Sequence, residues 1–275
     1  MKFVSFRHKN GDVRGGVLRD VHIQPLAHTG DDLLAHITGG NANPVLEGYA
    51  IPLSEVTLLA PLQHPPRIFG IGLNYREHAA ESKMKVQDVP TVFLKLSSSI
   101  TGPDTDVLLP PDATQPDYEA ELAVVIGKPG RRIPQEQALD HVAGYSLFND
   151  ATVRDFQLRT PQWTMGKNFD GTGSFGPWLV TPDAVPPGAS GLRIQGRLNG
   201  RVMQDARTDQ LIFSVPALIA MISVAMSLER GDVIITGTPG GVGAARKPPV
   251  YMQPGDIFEV EIEGLGVLTN SVQDG

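Results

Sequence analysis

Three acidic residues alternate in the stretch QPDYEAELAVVIGK, just before an uninterrupted apolar run. They are Asp117, Glu119 and Glu121, and the apolar run covers 122–126. Such alternation, followed by Val and Ile, is typical of a β-strand, on which residues two apart face the same side with Cα atoms about 7 Å apart. Carboxylates this close repel each other unless water screens them or a cation lies between them. The pattern fits either a solvated strand face, the commoner reason for alternating charge, or a cation site.

A second pair suited to chemistry is His78 and Glu81, in NYREHAAES. Residues three apart are neighbours on a helical turn, and a carboxylate beside an imidazole fixes its tautomer and raises its basicity. This is the usual arrangement of a histidine general base. A solvated surface pair has the same spacing, so the pair by itself leaves both interpretations open.

Polar residues further along the chain could hold an anionic ligand beside these groups. Asp150 ends a strand-like run, and Arg154 and Gln157 follow at three-residue spacing, which places these two on one face of a turn. Lys167 lies in TMGKNFD, and Thr238 lies in the glycine-rich stretch TGTPGGVG. Arginine, glutamine and lysine side chains can hold a carboxylate. Each residue alone is equally compatible with a turn or surface position.

Length and composition set the broad class. The chain has 275 residues, 41% of them hydrophobic, a net charge of -7 and no cysteine. This length allows one large domain, or a small and a medium one. The net charge is negative and the sequence has no cluster of basic residues, which argues against nucleic acid as a partner. The lack of cysteine excludes disulfides and thiolate nucleophiles. No signal-peptide core or membrane-length apolar run is found, so we expect a cytoplasmic protein without membrane contact.

The elements that must position these residues are predominantly strands. Asn-Gly turns between alternating segments predict hairpins around residues 10–12 and 199–200. A short helix from Pro134 to about His141 is predicted before the strand that ends at Asp150. The proline-rich stretch LLAPLQHPP predicts a boundary between a small N-terminal domain, residues 1–62, and a catalytic domain, residues 63–275.

One long helix is predicted in SVPALIAMISVAMSLERGD, with Ser214 as its cap and Gly231 as its stop. Apolar residues cover most of its circumference from 215 to 228, so we expect it to be buried or to lie at an interface. Strands are predicted after it at 233–236 and 257–262.

Five blocks, taken in order, resemble the fumarylacetoacetate hydrolase family: GIGLNYREHAAE, DYEAELAVVIGK, FNDATVRDFQ, GKNFD and GDVIITGTPGGVG. The resemblance implies that Glu119, Glu121 and Asp150 are ligands of Mg²⁺ or Mn²⁺, and ligands that are all oxygen suit such hard cations. It gives Asp117 no ligand role, and we interpret this residue as a support for the ligands or a solvent-facing acid.

The resemblance also implies a fold and an assembly. The fold is a β-rich α/β arrangement, in which a mixed β-sheet roll or sandwich forms the catalytic domain beside the small N-terminal β-rich domain. The assembly is a homodimer, and the apolar helix at 215–228 is one segment that could be shielded at its interface. In relatives the segment with His78 and Glu81 is a mobile lid, and the polar composition of 76–88 is compatible with this role.

By this resemblance we predict a hydrolase of aromatic catabolism that cleaves a carbon–carbon bond in a 2,4-dioxo acid, such as an acylpyruvate or fumarylpyruvate, and releases pyruvate and a carboxylic acid. The metal would chelate the 1-carboxylate and the 2-oxo group. His78, oriented by Glu81, would activate water, and Lys167 would help to stabilise the pyruvate enolate. The predicted catalytic residues are His78, Glu81 and Lys167, and the predicted substrate-binding residues are Arg154, Gln157 and Thr238.

Other reactions use the same enolate and stay open. Decarboxylation of oxaloacetate needs the metal and Lys167 but no water, and isomerisation of a 2-hydroxyhepta-2,4-diene-1,7-dioate type of acid needs only proton transfer. A metal-stabilised binding protein is the non-enzyme alternative. Lys95 and Trp163 are either pocket residues or core residues. Longer animal members take a further metal carboxylate from upstream of the His, where this chain offers Asn74, and this argues against fumarylacetoacetate as the substrate.

Overall fold

The computed structural model describes residues 1–27, 33–38, 41–42, 44–85 and 88–275, and strands dominate them. The strands are β1 Lys2–His8, β2 Val13–Arg19, β3 His22–Pro25, β4 Ile37–Thr38, β5 Asn41–Ala42, β6 Ile51–Pro52, β7 Val56–Leu59, β8 Ile68–Gly72, β9 Thr91–Lys95, β10 Ile100–Thr101, β11 Val107–Leu109, β12 Pro116–Asp117, β13 Ala120–Ile126, β14 Val142–Asn149, β15 Thr152–Val153, β16 Gly173–Val180, β17 Arg193–Leu198, β18 Arg201–Arg207, β19 Val233–Ile235, β20 Ile257–Ile262 and β21 Gly266–Asp274. The α-helices are α1 Arg76–Glu81, α2 Arg154–Gln157, α3 Thr164–Lys167 and α4 Val215–Ala225. The predicted β-rich class is confirmed.

Two sheets carry most of these strands. The larger has twelve strands, with the order β6-β3-β2-β1-β16-β14-β13-β19-β8-β9 and with β7 and β10 attached to β1 and β16. The smaller has the order β11-β21-β20-β17-β18. Both are mixed, because β8 runs parallel to β19 and β11 runs parallel to β21.

Strand β13 lies at the centre of the larger sheet and is buried along its whole length. Leu122, Val124 and Ile126 belong to the hydrophobic cluster that includes residues of β17 and β20 in the smaller sheet. Ala123 and Val125 belong to the cluster on the opposite face, with residues of β1 and β16. Burial on both faces explains why the apolar run after the alternating acids is unbroken.

Both predicted hairpins are confirmed. β1 and β2 pair antiparallel on either side of the first Asn-Gly turn, and β17 and β18 pair on either side of the second. Asn199 and Gly200 both have positive φ, 52° and 74°, as a two-residue hairpin turn of this kind requires.

Apart from the two-stranded sheet of β4 and β5, the N-terminal strands belong to the larger sheet. β1 pairs with β16 in the register Phe3↔Leu179, so the larger sheet runs from the N-terminal unit into the rest of the chain. The predicted domain boundary between residues 62 and 63 stays a prediction, but any division there leaves the two parts sharing one sheet.

The predicted long helix is shorter than expected. α4 ends at Ala225, because Met226 has an extended backbone with φ -145° and ψ 154°. Leu228 then bridges to Gly130, well before the expected stop at Gly231. Ser214 lies at the start of α4, but its side chain makes no cap hydrogen bond.

Other predicted boundaries are close to those observed. The segment expected to be helical before β14 is a 3-10 helix, Gln135–His141. β19 ends one residue before the predicted end at 236, and β20 has the predicted bounds. Residues 86 and 87 of the expected lid lie outside the described residues. No helix among the described residues is long and apolar enough to cross a membrane.

Candidate active site

The acidic cluster is assembled by the pairing of β13 with β14. Ala120 lies opposite Asn149 in this ladder, so the residues just outside it, Glu119 and Asp150, also face each other. The amide of Asp150 donates to the carbonyl oxygen of Glu119 at 2.9 Å. Glu121, two residues further along, lies on the same side as Glu119. One carboxylate oxygen from each of the three acids lies within 4.8 Å of the others.

These three acids fit a hard divalent cation. They are 4%, 1% and 0% exposed in chain order, so water does not screen their repulsion. The amide of Gly237 donates to Oε2 of Glu121 at 2.7 Å. Oδ1 of Asp150 accepts no hydrogen bond within the described part of the chain, and beside the ion-pair contact with Lys95 it keeps a lone pair for a metal ion. The donors are all carboxylate oxygens, which Mg²⁺ and Mn²⁺ prefer.

Their surroundings shift the pKa values of the two glutamates in opposite directions. Burial, and then the charges of Asp150 and Glu119, raise the pKa of Glu121 well above its ordinary value. Burial alone would raise the pKa of Glu119 too, but the cations Lys167 and Arg154 outweigh it and lower that pKa to about 2. Of the two glutamates, Glu121 is therefore the one that needs a further positive charge in order to ionise.

Two buried lysines contact the cluster. Nζ of Lys167 lies 2.7 Å from Oε2 of Glu119 and 2.6 Å from Oδ2 of Asp150. Nζ of Lys95 donates to the carbonyl oxygen of Lys167 and lies 2.8 Å from Oδ1 of Asp150, although not along a hydrogen-bonding direction. The acids outweigh burial and raise the pKa of Lys167, which holds it as an ammonium. Lys95 is therefore a buried residue that supports the acidic cluster and does not itself line the cavity.

Arg154 and Gln157 share one face of α2, as their spacing predicts. Nη1 of Arg154 donates to Oε1 of Gln157 at 3.0 Å, and Nε donates to Oδ2 of Asp117 at 2.9 Å. Nη2 lies 2.7 Å from Oε1 of Glu119. Asp117 is fully buried, so the alternative of a solvent-facing acid is wrong.

The His78–Glu81 pair is formed on α1. Nδ1 of His78 lies 3.0 Å from Oε1 of Glu81, while the amide of Gly241 donates to Oε2 of the same carboxylate at 2.8 Å. This contact assigns the Nδ1 proton to the Glu81 side and leaves Nε2 as the other ring nitrogen. His78 is buried, so the alternative of a solvated surface pair is wrong.

One cavity of about 240 Å³ brings these groups together. Trp163 forms part of its apolar wall and packs edge-to-face on Phe93 with ring centroids 5.7 Å apart. Of the nine predicted site residues, only Asp150 does not line the cavity, and it lies beneath Lys167. The eight that line it are His78, Glu81, Glu119, Glu121, Arg154, Gln157, Lys167 and Thr238.

Thr238 lines the cavity, but its hydroxyl group is used by the fold. It donates to the carbonyl oxygen of Ala120 at 3.0 Å and accepts from Nε2 of Gln204 at 2.7 Å. The amide of Ala120 donates to Oε1 of Gln204 at 2.9 Å, so this glutamine joins the glycine-rich loop to β13. Nothing in the sequence marked Gln204, because it is one polar residue in an ordinary alternating strand.

Asn74 does not line the cavity. Its Nδ2 donates to the carbonyl oxygens of Phe213 and Thr236, and its Oδ1 accepts from the amide of Phe213. The side chain therefore ties three backbone segments together behind the site.

Comparison with known proteins decides the family. A model described as fumarylacetoacetate (FAA) hydrolase C-terminal matches residues 67–273, and one described as Rv2993c-like, N-terminal, matches residues 1–61. The chain belongs to the fumarylacetoacetate hydrolase family. It is 46% identical over 224 residues to the mitochondrial oxaloacetate tautomerase FAHD2A of Homo sapiens, a match that covers 81% of this chain and 71% of that protein.

Solved structures agree over the whole chain. The fumarylacetoacetate hydrolase of Exiguobacterium antarcticum matches with a TM-score of 0.86 at 37% identity. The 5-carboxymethyl-2-hydroxymuconate delta-isomerase of Mycobacterium smegmatis matches with a TM-score of 0.85 at 32% identity. Both matches cover 100% of each chain. The names of these relatives include a tautomerase, an isomerase and a hydrolase, so membership of the family establishes an enzyme fold but not one reaction.

Proposed function

We propose that this protein is an enzyme that uses a divalent metal ion to move a proton within a 2-oxo dicarboxylic acid, and that it interconverts the enol and keto forms of oxaloacetate or a close analogue. The three acids Glu119, Glu121 and Asp150 form the metal seat. The observation that carries this proposal is that two of them, Glu119 and Glu121, line the same cavity as the His78–Glu81 pair. A seat that stabilises an enolate beside a group that transfers a proton is sufficient for tautomerisation. The sequence identity of 46% to the human oxaloacetate tautomerase supports tautomerisation over the hydrolysis that the sequence motifs alone suggest.

Charge in the site favours an anionic substrate. Its buried cations are Lys95, Arg154 and Lys167, and its buried carboxylates are Asp117, Glu119, Glu121 and Asp150. With all of these groups ionised, three positive charges oppose four negative ones, which leaves one negative charge. A bound divalent cation reverses the balance to one positive charge, so the loaded site attracts an anion in a region of low dielectric.

The roles of the residues follow from their contacts. A bound Mg²⁺ or Mn²⁺ would be held by Glu119, Glu121 and Asp150 and would supply the charge that lowers the cost of an enolate. His78 would take and return the proton through Nε2, while Glu81 keeps Nδ1 protonated and the ring oriented.

The cationic side of the cavity would hold the substrate in place. Arg154 and Gln157 would bind carboxylate oxygens, and the ammonium of Lys167 would lie beside the developing negative charge. The hydroxyl group of Thr238 would not donate to the substrate, because its proton already goes to the carbonyl oxygen of Ala120.

Hydrolysis of an acylpyruvate is the second candidate. The same His78–Glu81 pair could activate water, and the hydrolase of Exiguobacterium antarcticum matches this chain over its whole length. Cleavage adds one requirement, which is room for a water molecule between His78 and the distal carbonyl group.

Following each reaction separately tests these two candidates. Enol oxaloacetate, acetylpyruvate and fumarylpyruvate would be offered with Mg²⁺ or EDTA, and enol absorbance, pyruvate, free acid and CO₂ would be recorded against a blank of Mg²⁺ alone. We expect protein- and metal-dependent loss of the enol without pyruvate. Faster release of pyruvate and a free acid from an acylpyruvate would reassign the protein as a hydrolase, and CO₂ above the blank would reassign it as a decarboxylase.

A variant of the proposed base sharpens this test. His78→Asn should lower the enol-to-keto rate by about 10²–10⁴-fold, the usual contribution of a positioned general base. His64→Asn, a change at an exposed histidine, is the matched control and should keep the rate. An undiminished rate in His78→Asn would exclude His78 as the proton-transfer group.

A further inference from the structure

Asp117 is a buried carboxylate to which neither the metal seat nor the proton-transfer pair assigns a role. Its Oδ1 accepts from the amides of Tyr118 and Gly243 at 2.9 Å and 2.7 Å. Its Oδ2 accepts from the amide of Ala244 at 2.9 Å and from Nε of Arg154 at 2.9 Å. Both oxygens are thus fully used, and each of the four donors is part of the protein.

The contact with Asp117 holds one edge of the Arg154 guanidinium in place. Nε is occupied by Asp117 and Nη1 by Gln157. Nη2 is buried and lies 2.7 Å from Oε1 of Glu119, with which it forms an ion pair. The side chain lines the cavity, and Nη1 carries a second N–H beside the one that it donates to Gln157, so the guanidinium still has a donor to offer a ligand.

The other side of Asp117 is a segment of the cavity wall. Val242, Ala244 and Ala245 line the cavity, and Gly243 lies between them. A Cβ atom on Gly243 would lie 2.7 Å from Oδ1 of Asp117 and 1.8 Å from a backbone oxygen, so only glycine allows this close approach. The carboxylate therefore joins the 242–245 segment to α2 at a point where neither can shift independently.

We propose that Asp117 is a positioning residue that fixes Arg154 against the 242–245 segment, so that the guanidinium meets the carboxylate of the substrate. The inference rests on the proposed function in one respect, the anionic oxo-acid nature of the ligand. Asp117 touches none of the three metal-seat acids through its side chain, so it should act on substrate affinity far more than on metal affinity.

Binding of oxalate to the full-length protein tests this role without turnover. Oxalate carries the adjacent oxygens of a 2-oxo acid and is not converted. Calorimetry would give its affinity in Mg²⁺ and, separately, the affinity for Mg²⁺ alone. Asp117→Asn should weaken oxalate binding by roughly tenfold or more, because an amide cannot accept from all four donors and a charged hydrogen bond is lost. Mg²⁺ affinity should change by less than about twofold.

Two further proteins make the test specific. Asp155→Asn changes the neighbouring acid on α2, whose carboxylate accepts from Thr114 and shares no hydrogen bond with the Arg154 side chain or the 242–245 segment. This variant should bind oxalate normally. Arg154→Gln should lose oxalate affinity, and adding Asp117→Asn to it should cause no further loss. Multiplying losses in the double variant, or unchanged oxalate affinity in Asp117→Asn, would overturn the proposal, as would a lack of oxalate binding to the unaltered protein.

A folding defect in Asp117→Asn would be seen as a lowered melting temperature, and Arg154→Lys then decides the matter. Lysine keeps the charge but has no second nitrogen to present once Asp117 holds the first. Oxalate affinity equal to that of the unaltered protein in a folded Arg154→Lys variant would also overturn the proposal. Oxalate effects as expected without conversion of any oxo acid would reject the proposed reaction and leave this role of Asp117 standing.

Discussion

Glu121 carries the clearest consequence at the scale of single residues. Its pKa is raised by burial and by neighbouring charge, so the native state without metal binds a proton more tightly than the unfolded chain does. The stability from this proton is fully present below the unfolded pKa, about 4.3, and is lost as the pH rises through the raised folded pKa. In EDTA at pH 8 we expect Glu121→Gln to have a larger free energy of unfolding than the unaltered protein. This difference in free energy should vanish near pH 4.

The measurement is a urea titration of both proteins at several pH values. The side-chain amide introduced by Glu121→Gln can still accept the hydrogen bond from the Gly237 amide, so the change removes charge and little else. Glu136→Gln, at an exposed position, is the control and should leave the free energy of unfolding unchanged at every pH. In Mg²⁺ the order should reverse, because a neutral amide is a poorer ligand than a carboxylate. A pH-independent difference in EDTA would show that the charge of Glu121 is not the cause.

Among single residues, the metal ligands could be predicted from the sequence, whereas the role of Asp117 could not. Alternation placed Glu119 and Glu121 on one side of a strand, and the family resemblance added Asp150, which the pairing of β13 with β14 brings beside them. The position of Asp117 could not be decided, because its partners Gly243 and Ala244 come from a loop more than a hundred residues away. No local pattern reports such a contact.

At the scale of elements, strand β8 shapes the aromatic wall of the cavity. A Cβ atom on Gly72 would lie 2.3 Å from the ring of Trp163. We expect Gly72→Ala to push this half-buried ring aside and to raise the KM for the substrate, with only a small change in melting temperature because a side chain and not the backbone must move. Steady-state kinetics and thermal unfolding together check this.

The turn between β17 and β18 offers the matched control. Gly200 has a φ of +74° and nothing within 4 Å of an added Cβ atom. Gly200→Ala should therefore lower the free energy of unfolding by about 1 kcal/mol through backbone strain and leave the KM unchanged. Equal effects of both substitutions on the KM would argue against a specific role for the wall at Trp163.

Elements with strong local signals were predicted well, and those ended by tertiary contacts were not. Both Asn-Gly hairpins follow from turn chemistry that operates within a few residues. The end of α4 does not, because its chain leaves the helix at Met226 to let Leu228 pair with Gly130. That pairing depends on a distant segment, so a stop signal at Gly231 could not reveal it.

At the scale of the whole molecule, the expected homodimer stays a prediction. Light scattering should give twice the 29.5 kDa chain mass. Five of the eleven residues of α4 are already buried within one chain, so a partner is not needed to cover that face. Val224, near its end, is 59% exposed and would be covered if the helix contributes to the interface. A mass of one chain at micromolar concentration would contradict the prediction.

The continuity of the larger sheet leads to a prediction about the N-terminal unit. β1 pairs with β16 through Lys2↔Val180 and Phe3↔Leu179, and Phe3 is fully buried in the cluster that also contains Phe175. A chain that begins at residue 63 would expose the edge of β16 and remove Phe3 from this core. Losing a buried phenylalanine costs about 3–5 kcal/mol by itself, a large part of the stability of an ordinary domain.

We therefore expect residues 63–275 alone to aggregate or to unfold well below the melting temperature of the full chain, although all nine predicted site residues lie within that range. Adding residues 1–62 as a separate polypeptide should restore part of the stability, because the missing strand can pair with β16 again. Thermal unfolding and light scattering of both preparations check this. A truncated chain that stays monomeric, binds Mg²⁺ and melts like the full protein would show that β1 only covers a sheet that is already stable, and the boundary at residue 62 would then separate two independent domains.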